Sequence, residues 1–96
     1  HYESAIELAP DMDLAYHSQA YQYGQHERHL EKGVELVQKA IQLSPKSALY
    51  YSTLSWLFYK LGRYAEAETA ILKAIELNPD NPLYREGLEE IRRLRN

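Results

Sequence analysis

The sequence predicts an all-α chain built from stacked antiparallel helix pairs, and three observations carry that reading. First, three hexapeptides nearly coincide: Ala5-Ile6-Glu7-Leu8-Ala9-Pro10, Ala40-Ile41-Gln42-Leu43-Ser44-Pro45 and Ala74-Ile75-Glu76-Leu77-Asn78-Pro79. Their prolines stand 35 and 34 residues apart, and a bulky residue (Tyr2, Val37, Ile71) lies eight positions before each. A period near 34 residues is the length of one helix–turn–helix repeat. Second, Tyr51, Leu54, Phe58 and Leu61 are spaced by three and four, which is one face of an α-helix. Third, nothing alternates with period two over a useful length, so no strands are expected.

Six helical segments follow in order, at roughly 2–9, 12–24, 29–43, 47–60, 64–77 and 82–95. Residues 1–10 read as the end of an incomplete repeat whose partner helix would precede His1. Residues 11–45 and 46–79 read as two repeats, and 80–96 as a capping helix. Pro10, Pro45 and Pro79 close the second helix of each unit, because proline breaks the hydrogen-bond ladder and disfavours helical geometry in the residue before it. Gly62 follows the 51–61 stripe, where a helix end calls for a left-handed residue. Along 64–77 the stripe is Tyr64, Ala67, Ile71, Ala74 and Ile75, with the two alanines small enough to admit a close partner helix. Asp80-Asn81-Pro82 supplies a cap and a first-turn proline. Behind it Tyr84, Leu88 and Ile91 form one narrow apolar stripe. The charges run from Glu86, Glu89 and Glu90 to Arg92, Arg93 and Arg95, complementing the helix dipole. A polar outer face is what the terminal unit of a stack needs, so the array is expected to end here.

Composition narrows the function. The 96 residues, 45% hydrophobic and 26% charged, suit one small soluble domain. A net charge of −3 argues against nucleic acid, and the absence of cysteine removes disulfides, thiolate nucleophiles and zinc–thiolate sites. No run approaches the ~18 apolar residues of a membrane span. The chain also lacks a glycine-rich phosphate loop, a Gly-x-Ser-x-Gly elbow and a plausible carboxylate pair, so an enzyme is not expected. His26-Glu27-Arg28-His29 is one residue short of the His-Glu-x-x-His zinc arrangement and falls in a turn, so neither a metal nor another cofactor is expected.

The residues resemble the tetratricopeptide repeat family. Tyr51, Leu54, Ser55 and Phe58 fill the pattern's first helix, and Ala67, Ile71 and Pro79 its second; Ser55 stands where the family has glycine. The preceding repeat is looser: Tyr16, Gln19, Ala20 and Tyr23, then Gly33, Val37 and Pro45. There Gln19 replaces the usual leucine, and one extra residue sits in the turn around Gly24–His29. The resemblance implies a right-handed α-solenoid and a scaffold that binds peptides or proteins. In this family the first helix of each pair lines the concave side. Removing the core stripe from those helices leaves Leu14, His17, Ser18, Tyr21 and Gln25, then Leu49, Ser52, Thr53, Trp56 and Lys60, then Leu83, Glu86, Gly87, Glu90 and Leu94.

These residues form an expected groove with a leucine rim (Leu14, Leu49, Leu83), a middle row of Tyr21, Trp56 and Glu90 flanked by Tyr59 and Arg93, and an acidic end at Glu86 and Glu90. Trp56 lies off the Leu54/Phe58/Leu61 stripe and is expected to be substantially exposed; the alternative is that it plugs the contact between repeats. Some family members grip a peptide C-terminal carboxylate with Lys, Arg and Asn here. This chain has His17, Ser18, Tyr21, Ser52, Thr53 and Trp56 instead, so the expected ligand has apolar or aromatic anchors and a basic residue over Glu86 and Glu90. A second function class is an assembly element that self-associates or stacks on further repeats through its N-terminal end, where Tyr2, Ile6 and Leu8 lack a partner helix.

Overall fold

The computed structural model describes residues 12–95, which form five helices: α1 (Met12–His26), α2 (Leu30–Leu43), α3 (Ala48–Lys60), α4 (Tyr64–Leu77) and α5 (Pro82–Arg95). The expected segment 2–9, and with it Tyr2, Ile6 and Leu8, lies outside the described residues. No strand occurs among the described residues. Helix α1 packs against α2, α3 against α4, and α5 against α4, while α2 against α3 joins the two pairs. The fold is therefore a solenoid of helix pairs.

The turns show how the two repeats differ. After α3, Gly62 takes φ 79°, its N–H donates to the Tyr59 carbonyl at 3.0 Å, and the Arg63 N–H donates to the Phe58 carbonyl at 2.9 Å. This pair of bonds satisfies two carbonyls left over at a helix end. After α1 the same pair recurs, Glu27 N–H to the Gly24 carbonyl and Arg28 N–H to the Tyr23 carbonyl, both at 3.2 Å. Here a non-glycine residue, Glu27, adopts φ 53°, and the extra residue leaves His29 at φ 52° as well. The insertion therefore costs two left-handed non-glycine residues and carries α1 two residues beyond the expected end at 24.

The core centres on α3. Leu54 and Phe58 are buried as the stripe predicts, but Tyr50, Thr53, Ser55 and Leu57 are buried too, and Leu57 is one of the two largest wholly enclosed side chains among the described residues. A helix in the middle of a stack has neighbours before and after it, so one stripe understates its burial. Ser55 donates its hydroxyl to the Ala67 carbonyl at 2.8 Å, which lets α3 and α4 approach closely while satisfying a buried polar atom. Ala67 and Ala74 are fully enclosed at that approach, whereas Lys73 is exposed. Ala67→Leu is accordingly expected to cost about 1–3 kcal/mol and Lys73→Leu to stay within about ±0.5 kcal/mol. Equal urea midpoints for the two variants would refute this packing.

Candidate functional site

The face formed by α1, α3 and α5 gathers the residues the sequence singles out. Leu14, Leu49 and Leu83 are 52%, 51% and 68% exposed, so α1, α3 and α5 each leave one leucine unburied. Aromatic rings run between α1 and α3. The Tyr50 and His17 ring centres are 5.0 Å apart, His17 and Tyr21 6.4 Å, and Tyr21 and Trp56 5.2 Å. The Lys60 ammonium ends the run, 5.1 Å from the Trp56 ring and 3.1 Å from a Glu27 carboxylate oxygen. Aromatic surface of this kind, with tyrosine 21 still 45% exposed, is the material of binding hot spots.

Two expectations need correction. Thr53 is buried rather than groove-lining, and its hydroxyl is hydrogen-bonded to His17 Nε2 at 2.8 Å, joining α3 to α1. Trp56 is partly buried rather than substantially exposed, because its indole lies over Gly24 of α1. The missing side chain at Gly24 is what admits the ring, so Trp56 is both a plug between repeats and a wall of the face. Trp56 turns off its own helix's stripe, as its register predicts, but the space it turns into belongs to another repeat.

The remaining groove positions divide between polar contacts and solvent. Tyr59, partly buried, directs its hydroxyl toward a Glu90 oxygen at 3.5 Å, and Glu90 also pairs with Arg93. Glu86 is exposed, and Ser52 is partly buried. Between α3 and α5 a cavity of about 280 Å³ opens, bounded by Ser52, Trp56, Tyr59, Gly87, Glu90 and the apolar side chains beneath them. His26 and His29 are exposed, with the His29 ring edge-on to Tyr23. Among the described residues no group of three or more His, Asp or Glu is placed to hold a metal ion.

Sequence reasoning missed a polar knot at the start of α1. The buried Asp13 carboxylate accepts hydrogen bonds from the Tyr50 hydroxyl and the Ser44 hydroxyl, both at 2.8 Å. The bond from Tyr50 outweighs the opposing effect of burial and holds the Asp13 carboxyl below its ordinary value. Burial, reinforced by Asp13, pushes the Tyr50 phenol up to about 12. His17 is shifted down by burial. The knot ties α1 to the turn after α2 and to α3, setting where His17 and Tyr21 stand against Trp56. No periodicity marks it, because its three members come from different elements. Also unforeseen is an outer groove of about 740 Å³ between α2 and α4, floored by Tyr51, Leu54 and Phe58 of α3. Two of its rim carboxylates are engaged by cations, Glu66 by Arg63 and Glu76 by Lys73.

Paired helices stacked into a solenoid, with aromatic side chains on one face, define a helical-repeat interaction scaffold. Residues 48–81 match the family described as tetratricopeptide repeat, and the chain belongs to that family. It is 31% identical over 87 residues, 91% of its length, to the small glutamine-rich tetratricopeptide repeat-containing protein 2 of Mycosarcoma maydis, of which it spans 24%. It is 32% identical over 76 residues, 79% of its length, to the mitochondrial import receptor subunit TOM70 of Rattus norvegicus and of Mus musculus, spanning 12% of each. Repeats of this family are protein-interaction modules, and no catalytic family is indicated. No described helix is long and apolar enough to cross a membrane.

Proposed function

We propose that the chain docks a peptide, or an extended segment of a partner protein, on the face formed by α1, α3 and α5. The observation that carries this reading is the continuous ring surface through Tyr21 and Trp56 beside three exposed leucines. Leucines left unburied, one per helix, offer apolar surface that a partner can cover. Lysine, arginine and asparagine do not occupy the positions suited to gripping a peptide's C-terminal carboxylate, so the anchors are side chains. That two relatives are named as import receptor subunits supports a recognition role for this arrangement.

Tyr21→Ala tests the reading, since the residue is half-exposed and its loss leaves the Asp13 knot intact. Peptides selected for binding to the chain should lose about 2 kcal/mol of affinity to this variant, followed through Trp56 emission. Peptides indifferent to Tyr21 but sensitive to Leu72→Glu, at the outer groove, would overturn it.

A further inference from the structure

The chain contains its own internal comparison, because the two seams along the α1/α3/α5 face are built from corresponding residues. One repeat further on, His17 corresponds to Ser52, Tyr21 to Trp56 and Gly24 to Tyr59, while Thr53 corresponds to Gly87 and Trp56 to Glu90. In the seam between α1 and α3 the chain fills its own space. Thr53 bonds to His17, and Trp56 covers Gly24. In the seam between α3 and α5 the counterpart of the first pair leaves a gap, because Ser52 is short and Gly87 has no side chain. The counterpart of the second, Tyr59 and Glu90, meets only at the phenol hydroxyl, 3.5 Å from a Glu90 oxygen. The result is the cavity of about 280 Å³.

Packing does not demand glycine at 87. A Cβ there would meet only Ile71, at 3.8 Å, an ordinary contact. The space is therefore open to another side chain, and its surfaces state which kind. Its floor is Ile71 and Ile91, its walls include the Trp56 and Tyr59 rings, and the Glu90 carboxylate stands on its border.

We infer that this slot receives one arginine or lysine side chain of the docked peptide. The proposal rests on the docking face described above and adds what one part of that face selects. Methylenes would lie on the isoleucine floor while the cation faces the rings and Glu90, the division of a long basic side chain into apolar stem and charged head. The chain already displays both halves of that chemistry: Lys60 lies over the Trp56 ring, and Arg93 pairs with Glu90 from the neighbouring turn. A purely apolar side chain would desolvate Glu90 without replacing its lost partners, and an acidic one would be repelled by Glu90 and the nearby Glu86.

Random dodecapeptides displayed on phage, selected on the immobilised chain and then resynthesised, provide the probe. Peptides that depend on Tyr21 should share a basic position. Replacing that residue by norleucine, or using Glu90→Gln, should each weaken binding about tenfold, and the two together little more than either alone. Gly87→Leu, which fills the slot, should weaken binding without lowering the urea midpoint, since a helical glycine is replaced by a better helix former. Tyr21-dependent peptides that tolerate norleucine and Glu90→Gln would overturn the slot and leave the docking face standing. If no selected peptide depends on Tyr21, both fall.

Discussion

Replacing Asp13 by alanine is expected to lower the stability of the chain by about 3 kcal/mol. Two hydrogen bonds to a charged acceptor are lost, at roughly 1.5–3 kcal/mol each, and the buried Tyr50 hydroxyl is left without its partner. Tyr50→Phe should cost less, since it removes the donor and leaves the carboxylate with Ser44. The two changes together should fall short of their sum, because they act on one bond. The knot also sets an acid limit. Asp13 ionises at lower pH in the folded chain than in the unfolded one, so its contribution is complete above about pH 4 and is lost as pH falls through the folded value. His17, held down by burial, begins to weaken the fold at higher pH, from about 6.5 downward, because the folded chain resists the proton that the unfolded chain accepts. Urea midpoints against pH should therefore show two declines. Asp13→Ala should shrink the lower one, leaving the part due to Glu68, whose carboxyl is held down by Arg92 and Arg95. A lower decline of full size in that variant would exclude Asp13 as a source.

Gly24→Val should be the other severe variant. A Cβ at this position would stand 2.7 Å from Cη2 of Trp56, closer still to Cζ3, and 2.9 Å from Cδ2 of Leu57. Leu57 is fully enclosed, so the relief must come from Trp56 swinging outward. The expected cost is about 3 kcal/mol for valine. Alanine should cost less, because its better helix propensity returns up to about 1 kcal/mol. Trp56 is the only tryptophan, so its emission reports the event directly: both variants should shift it to the red and expose it to acrylamide. Unchanged emission with a lowered midpoint would mean that the ring stays and the helices part instead.

The same glycine shows where sequence reading stops. Gly24 sits in helix α1 without a left-handed backbone, so nothing in its local sequence distinguishes it from a weak helical position. Its role comes from Trp56, which lies 32 residues away in the chain. The helices themselves were legible because their causes are local: spacing of three and four, prolines after the second helices, Gly62 at a turn. The expected boundaries are close for α2, α3, α4 and α5, and α1 runs longer because of the left-handed Glu27 turn. For the candidate site, register separated Leu14, Leu49, Leu83 and Tyr21 from the core, all four of which are exposed. It failed for Thr53, whose hydroxyl meets His17 from the neighbouring repeat.

What the sequence by itself determined is the repeat, the helices and the family, since periodicity, proline placement and small residues at close approaches act within one unit of about 34 residues. What only the tertiary structure decided is how neighbouring units fill the seams between them. Trp56 closes one seam over Gly24, Asp13 ties its end to Tyr50 and Ser44, and Gly87 leaves the next seam open. Each of those outcomes depends on side chains brought together from separate repeats, and their sizes and hydrogen-bonding partners become known only when the helices are stacked.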